Sequence, residues 1–155
     1  MPGGTVEAYF RHVDPEDVTG RTTDELVSVV RSHRDLASER PAGRALVRVT
    51  EIGERAVVEV VTDDMPFLVD SVTMEMVRQH RPVHLVVHPR WSVRRDAVGN
   101  LQDVRAIDDA HPEEAPHDGG WSVESWIRVE TDRIVDEEEV DALVAGLERV
   151  LRDVR

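Results

Sequence analysis

The feature that most constrains the fold is a change of hydrophobic period between residues 56 and 80. Residues 57–62 are β-branched apart from Glu59 and contain no turn former, the composition of a buried strand. The pattern breaks at Asp63-Asp64-Met65-Pro66. Proline is tolerated in a first helical turn, where its missing N–H would have had no partner. An Asp there can accept from the free amides at the positive end of the helix dipole. Beyond the break, Leu68, Val69, Val72, Met76 and Val77 recur at helical spacing. This predicts a strand, a tight acidic turn with Asp64 as cap, and a helix over 66–79. A second strand-like run, 83–94, follows at once and completes a β-α-β unit of about forty residues.

The flanking segments extend that unit. Residues 1–8 read as a frayed start, and Asp14 opens a short helical turn that Gly20 ends. Thr22-Thr-Asp-Glu25 is a capping-box pattern and predicts a helix to about residue 39, with Leu26, Val29, Val30, His33 and Ala37 on one stripe. Residues 46–50 read as a strand, hairpinned through Gly53 onto 56–62. Residues 95–100 form a hairpin turn before a return strand at 101–107. The charged stretch 108–120, with two prolines and no periodicity, is expected to be a mobile loop. Strand character resumes at 121–131. Asp136 then caps a helix whose Val140, Leu143, Val144, Leu147, Val150, Leu151 and Val154 share one face.

The order β-α-β-β-α lacks the last strand of a ferredoxin-like β-α-β-β-α-β unit. Strand 46–50 can take that place, antiparallel to 56–62, while helix 22–39 is free to cover the opposite face of the sheet. The expected fold is therefore α+β, a ferredoxin-like sandwich. It has an antiparallel-rich sheet of four to five strands with two helices on one face, plus an N-terminal helix. The boundaries expected are a helical extension at 1–43 and the sandwich at 44–155.

Composition narrows the function classes. The 155 residues hold 32 acidic and 19 basic side chains, a net charge of −13. That argues against nucleic acid, whose phosphates need clustered cations, and against an anionic membrane surface. No apolar run is long enough to span a bilayer, and the amino terminus lacks a signal-peptide pattern, so the expected location is cytoplasmic. The absence of cysteine removes disulfides, thiolate metal sites and a cysteine nucleophile. All nineteen basic residues are arginine, which reads as codon bias. Its chemical consequence is that no Schiff base or lysine general base can operate in this chain.

Several stretches carry a resemblance. Val-Thr-Asp-Asp-Met-Pro-Phe-Leu-Val-Asp-Ser-Val-Thr-Met-Glu (61–75), His-Leu-Val-Val-His-Pro (84–89), Val-Arg-Arg-Asp-Ala-Val-Gly-Asn-Leu (93–101), Glu-Ser-Trp-Ile-Arg-Val-Glu (124–130) and Tyr-Phe-Arg-His (9–12) resemble the amino-terminal region of large-subunit, NAD-specific bacterial glutamate dehydrogenases. Separately, Asp64-Met-Pro66 before an apolar helix looks like the Asp-x-Pro-Gly turn of amino-acid-sensing ACT domains. The resemblance implies an ACT-like regulatory or assembly segment of a long enzyme that oxidises L-glutamate to 2-oxoglutarate and ammonia with NAD. Its partners would be other domains or subunits of that enzyme, and an amino-acid effector is a further candidate. The family relies on active-site lysines, so its chemistry and its NAD would lie outside this chain.

The candidate ligand turn is Asp63, Asp64, Met65, Pro66 and Phe67. In ACT domains the amides of this turn can hold an amino acid's carboxylate. Phe67 stands where a glycine would allow close approach, and two Asp charges would repel a carboxylate while suiting an ammonium group. The competing reading is a simple capping turn. His84 and His88 suggest a metal site, but residues four apart on a strand lie about 13 Å apart. Zinc–nitrogen bonds of ~2.0–2.1 Å cannot bridge that span, so satisfied sheet histidines are the better reading. Arg90, Arg94 and Arg95 are expected to pair with local carboxylates. Asp70, Ser71 and Glu75 lie off the apolar stripe and read as a solvated helix face. No nucleophile elbow, phosphate-cradling loop or dinucleotide fingerprint accompanies the acidic residues, so no catalytic, cofactor-binding or metal-binding residue is assigned. Two roles stay open, an effector sensor and a structural module, with an independent enzyme a distant third.

Overall fold

The computed structural model describes residues 3–107, 110–116 and 118–154. Its central strands are β2 (Arg55–Asp63) and β6 (Trp121–Asp132), antiparallel and in register from Arg55↔Asp132 to Asp63↔Glu124. The strand β1 (Leu46–Ile52) pairs antiparallel with the free edge of β2, as its hairpin through Gly53 requires. It thus fills the place of the missing ferredoxin-like strand, although it comes from the other end of the chain. Along the other edge of β6 lie β3 (Leu85–Val87) and β4 (Arg90–Arg95), and β5 (Leu101–Ala106) pairs with β4 outside them. The order is β1-β2-β6-β4-β5, with β3 also on β6.

The single strand expected over 83–94 is therefore two, broken at His88-Pro89. Proline has no N–H for the ladder, yet the Pro89 carbonyl still accepts from the Trp126 amide at 3.0 Å, so both halves stay on β6. Counting the halves separately gives six strands.

The helices are α1 (Gly3–Tyr9), α2 (Pro15–Val18), α3 (Thr23–Ala37), α4 (Leu68–Arg78) and α5 (Glu137–Asp153). Because strand side chains alternate, each central strand feeds two cores. Val58, Val60, Ile127 and Val129 pack with Leu68, Val72 and Met76 of α4 and with Leu143, Leu147 and Leu151 of α5. On the opposite face Val61, Trp126, Leu85, Val87, Trp91 and Val93 pack with Tyr9, Val29, Val30 and Ala37. Helix α3 thus covers the face left open by α4 and α5. Thr22 caps it, accepting from the Glu25 amide at 3.1 Å, and Asp136 caps α5 through the Glu138 amide at 2.9 Å.

Three local expectations are corrected. Residues 3–9 are helical rather than frayed, because Tyr9 is buried and its hydroxyl bonds His33 Nδ1 at 2.8 Å. Helix α4 begins at Leu68, after Pro66, and Val77 points to solvent while Glu75 is buried. The acidic loop holds a 3-10 turn at Pro112–Glu114, and residues 108, 109 and 117 of it, like residues 1, 2 and 155, lie outside the described residues. Among the described residues no helix is long and apolar enough to cross a membrane.

Candidate functional site

The turn between β2 and α4 brings together the five residues singled out from sequence, but their roles differ from those expected. Asp64 does not cap α4. Its carboxylate accepts from Ser125 Oγ at 2.7 Å and from Arg90 Nε at 3.0 Å, and its amide donates to the Val123 carbonyl at 3.0 Å, so it ties the turn to β6 and β4. Asp63 pairs with Arg40 at 2.9 Å. Met65 packs against the α4/α5 core, and Pro66 is exposed. Phe67 occupies the cap position with φ 66° and ψ 15°, makes no side-chain cap bond, and is 74% exposed. Its backbone therefore has the left-handed conformation that glycine adopts without steric cost, while its ring buries little. The turn is a poor fit for a dinucleotide. Two carboxylates stand where a pyrophosphate needs donors, and an aromatic side chain stands where close backbone approach needs glycine.

The sheet face under α3 carries charges that periodicity alone did not reveal. Glu59, Glu124, Arg128 and Glu130 are all buried there. Glu124 accepts from Arg40 Nη1 at 2.8 Å, from Arg95 Nε at 2.8 Å and Nη2 at 3.0 Å, and from Trp126 Nε1 at 3.2 Å. Glu59 accepts from Arg48 at 2.8 and 3.0 Å, and Arg48 also donates to the Ser32 carbonyl of α3 at 2.6 Å. Glu130 gathers three guanidiniums: Arg21 at 2.7 and 2.8 Å, Arg55 at 3.0 Å and Arg128 at 3.2 Å. Burial alone would raise the Glu130 carboxyl, but the Arg21 hydrogen bonds and the Arg128 charge outweigh it and bring the pKa down to about 2. Sequence offered one signal for this network. Arg128 and Glu130 share the side of β6 that carries the buried Trp126, so charge interrupts an inward-facing row. Their partners, Arg21 and Arg55, come from the α2–α3 connection and from the start of β2, and only the fold brings them together.

Glu75 is likewise buried rather than solvated. It accepts from Arg78 at 2.6 and 2.8 Å and from Gln79, and the Arg78 hydrogen bonds hold its carboxyl below the usual range. Of the three arginines expected to meet carboxylates, Arg90 and Arg95 do so, whereas Arg94 lies over the Trp121 ring at 5.8 Å.

The histidines separate into different environments. His84 Nε2 meets Asp132 at 2.6 Å. His88 is not satisfied as expected: its Nε2 is buried with no hydrogen-bond partner among the described residues, and burial lowers its pKa. His33, unremarked as a site, is wholly buried. The Val60 carbonyl can only accept, so His33 Nε2 carries the proton at 2.9 Å and Nδ1 accepts from Tyr9. Burial lowers its pKa to about 4, against a smaller opposing effect of the Val60 hydrogen bond. Among the described residues no three His, Cys, Asp or Glu side chains are grouped to hold a metal ion.

Comparison with known proteins gives the same direction over most of the chain. The family model described as "Glutamate dehydrogenase, ACT1 domain" matches residues 5–147. An NAD-specific glutamate dehydrogenase of Halomonas elongata is 34% identical over 155 residues, covering 95% of this chain and 9% of the relative. Another, of Pseudomonas aeruginosa, is 29% identical over 157 residues, covering 96% of this chain and 9% of the relative. The chain thus spans less than a tenth of the length of the curated relatives it matches.

Proposed function

The chain belongs to the glutamate dehydrogenase ACT1 domain family, and from that premise we propose that it is a non-catalytic regulatory or assembly domain of an NAD-dependent glutamate dehydrogenase. The parent reaction in this reading is L-glutamate, NAD and water going to 2-oxoglutarate, ammonia and NADH, in the cytoplasm. The observation that carries it is the state of the buried carboxylates. Glu59, Glu75, Glu124 and Glu130 are each ion-paired with arginine, which suits a scaffold and not an acid–base centre. The absence of lysine supports the same reading, since the resemblance implies a lysine-dependent active site. The partners are then other domains or subunits of the parent. The purified chain should neither reduce NAD with glutamate nor bind NAD tightly, and turnover by the isolated chain would contradict the assignment.

A second reading makes the 63–67 turn an amino-acid effector site. The start of α4 has no side-chain cap, so its first-turn amides are not occupied by a side chain, and Asp63 and Asp64 are countered by Arg40 and Arg90. Calorimetric titration with millimolar glutamate, repeated on Phe67→Ala, tests it. Saturable heat that changes with Phe67 would support the turn, and no saturable heat would leave the structural role alone.

A further inference from the structure

A groove of about 710 Å³ runs between α3 and the face of β1 turned toward it. On α3, Ser28, Arg31, Ser32, Asp35 and Ser38 recur at i, i+3, i+4, i+7 and i+10, so they form one stripe beside the buried Val29, Val30, His33 and Ala37. On β1, Arg48 and Thr50 alternate with Val47 and Val49, which pack into the α4/α5 core, so the two polar residues face the groove. Most of the described arginines meet a carboxylate, a carbonyl or a ring. The side chains of Arg31 and Arg34, both in the groove lining, meet none among the described residues. Arg48 is held in place by Glu59 and the Ser32 carbonyl, while its Nη1 makes no bond among the described residues and is open to solvent. The hydroxyls of Ser28 and Thr50 are likewise unbonded among the described residues, and Ser32 Oγ, which accepts from Arg48 at 3.2 Å, keeps its proton to donate. Three guanidiniums thus stand against two carboxylates, Asp35 and the buried Glu59, which leaves one positive charge in excess on a chain of net charge −13.

We propose that this groove binds a phosphoryl group, free or carried by a small polar molecule. Arg31, Arg34 and Arg48 Nη1 supply charge-assisted donors, and Ser28, Ser32 and Thr50 supply hydroxyls, the donor types that hold phosphate oxygens elsewhere. A phosphoryl group brings three terminal oxygens and a charge of about −1.5 to −2 near pH 7, so it uses donors that the two oxygens of a carboxylate would leave idle. Leu101 is the one apolar side chain in the lining, so the groove has no wall for a hydrocarbon body. A nucleic-acid strand would meet the acidic remainder of the chain on either side. Asp35 opposes the anion and limits its affinity. The groove shares no residue with the 63–67 turn, and it stands whether or not the chain regulates a dehydrogenase.

Inorganic phosphate, ribose 5-phosphate and acetate test the assignment. Each is titrated at millimolar concentration and matched ionic strength into the 155-residue chain while amide and arginine side-chain NMR signals are followed. The two phosphates are expected to shift Ser28, Ser32, Arg48 and Thr50 saturably, and acetate is not. The double variant R31Q/R34Q removes two guanidiniums that bond nothing else among the described residues, so it should stay folded and weaken both phosphates about tenfold or more. Asp35→Asn should tighten both, and Arg133→Gln, outside the groove, should change neither. Tighter binding of ribose 5-phosphate assigns the groove to a phosphorylated metabolite, and equal or tighter binding of inorganic phosphate assigns it to the free ion. The proposal fails if neither phosphate gives saturable shifts at these residues, or if acetate matches them. It also fails if R31Q/R34Q binds phosphate as tightly as the unaltered chain.

Discussion

Phe67 holds a left-handed backbone that costs a non-glycine residue about 1–2 kcal/mol, and its ring is 74% exposed. Phe67→Gly removes little buried apolar area, because the ring faces solvent. The structure predicts a net gain of about 0.5–1 kcal/mol, because relief of the backbone outweighs the added freedom of the unfolded chain, and a urea midpoint measures it. No pattern in the sequence marks this φ, since the turn is set by how β2 hands over to α4. His33 and Glu130 set the acid response. His33 has a folded pKa of about 4 against an ordinary 6.5, so its contribution is complete above pH 6.5 and is lost as pH falls from 6.5 to 4. Glu130, at about 2 against 4.5, keeps its contribution above pH 4.5 and loses it between 4.5 and 2. Urea midpoints at pH 7, 5 and 3 should therefore fall in two stages, and His33→Gln should reduce the first stage, to which the buried His88 also contributes, while sparing the second. A single transition near pH 4 in both proteins would contradict this assignment.

At the level of elements, the periodic segments were the legible ones. The stripe Val29, Val30, His33 and Ala37 is buried as its spacing required, and so is Leu143, Leu147 and Leu151 on α5. The placement of β1 on the edge of β2 followed from a hairpin and an absent strand. What the sequence could not display was contact between distant turns. Gly99, in the turn between β4 and β5, accepts from the Arg40 amide at 2.9 Å, and Arg40 reaches on to Glu124. A Cβ at Gly99, where φ is +96°, would overlap the Arg40 carbonyl. Gly99→Ala should therefore cost more than about 2 kcal/mol in chemical denaturation, well beyond an ordinary surface substitution. Removing residues 1–52 should expose the edge of β2 and the face that carries Trp91 and Trp126, giving a chain that binds hydrophobic dye and aggregates. A soluble monomer with native amide protection in β2 would show those elements to be dispensable.

Across the whole molecule, one sheet separates two kinds of interior. The α4/α5 side is largely hydrocarbon, whereas the α3 side mixes aromatic rings with arginine–glutamate pairs. Such pairs add little net stability compared with apolar packing, but they demand one arrangement of the elements that carry them. That suits a domain whose surfaces must meet neighbours in fixed orientation. The family assignment was legible because five separated stretches carry it. The cluster around Glu130 was not, because Arg21, Arg55 and Arg128 are scattered over more than a hundred residues of chain. The most direct test of the regulatory or assembly role is glutamate-dependent NAD reduction by the full-length protein, with and without this region. Each form is assayed across protein concentration and in the presence of amino acids. In a regulatory or assembly role, turnover persists without the region, while its dependence on concentration or on added amino acids changes. Loss of the chemical step itself from a deletion protein whose remainder is folded, or a deletion with no effect on any of these dependences, would contradict it.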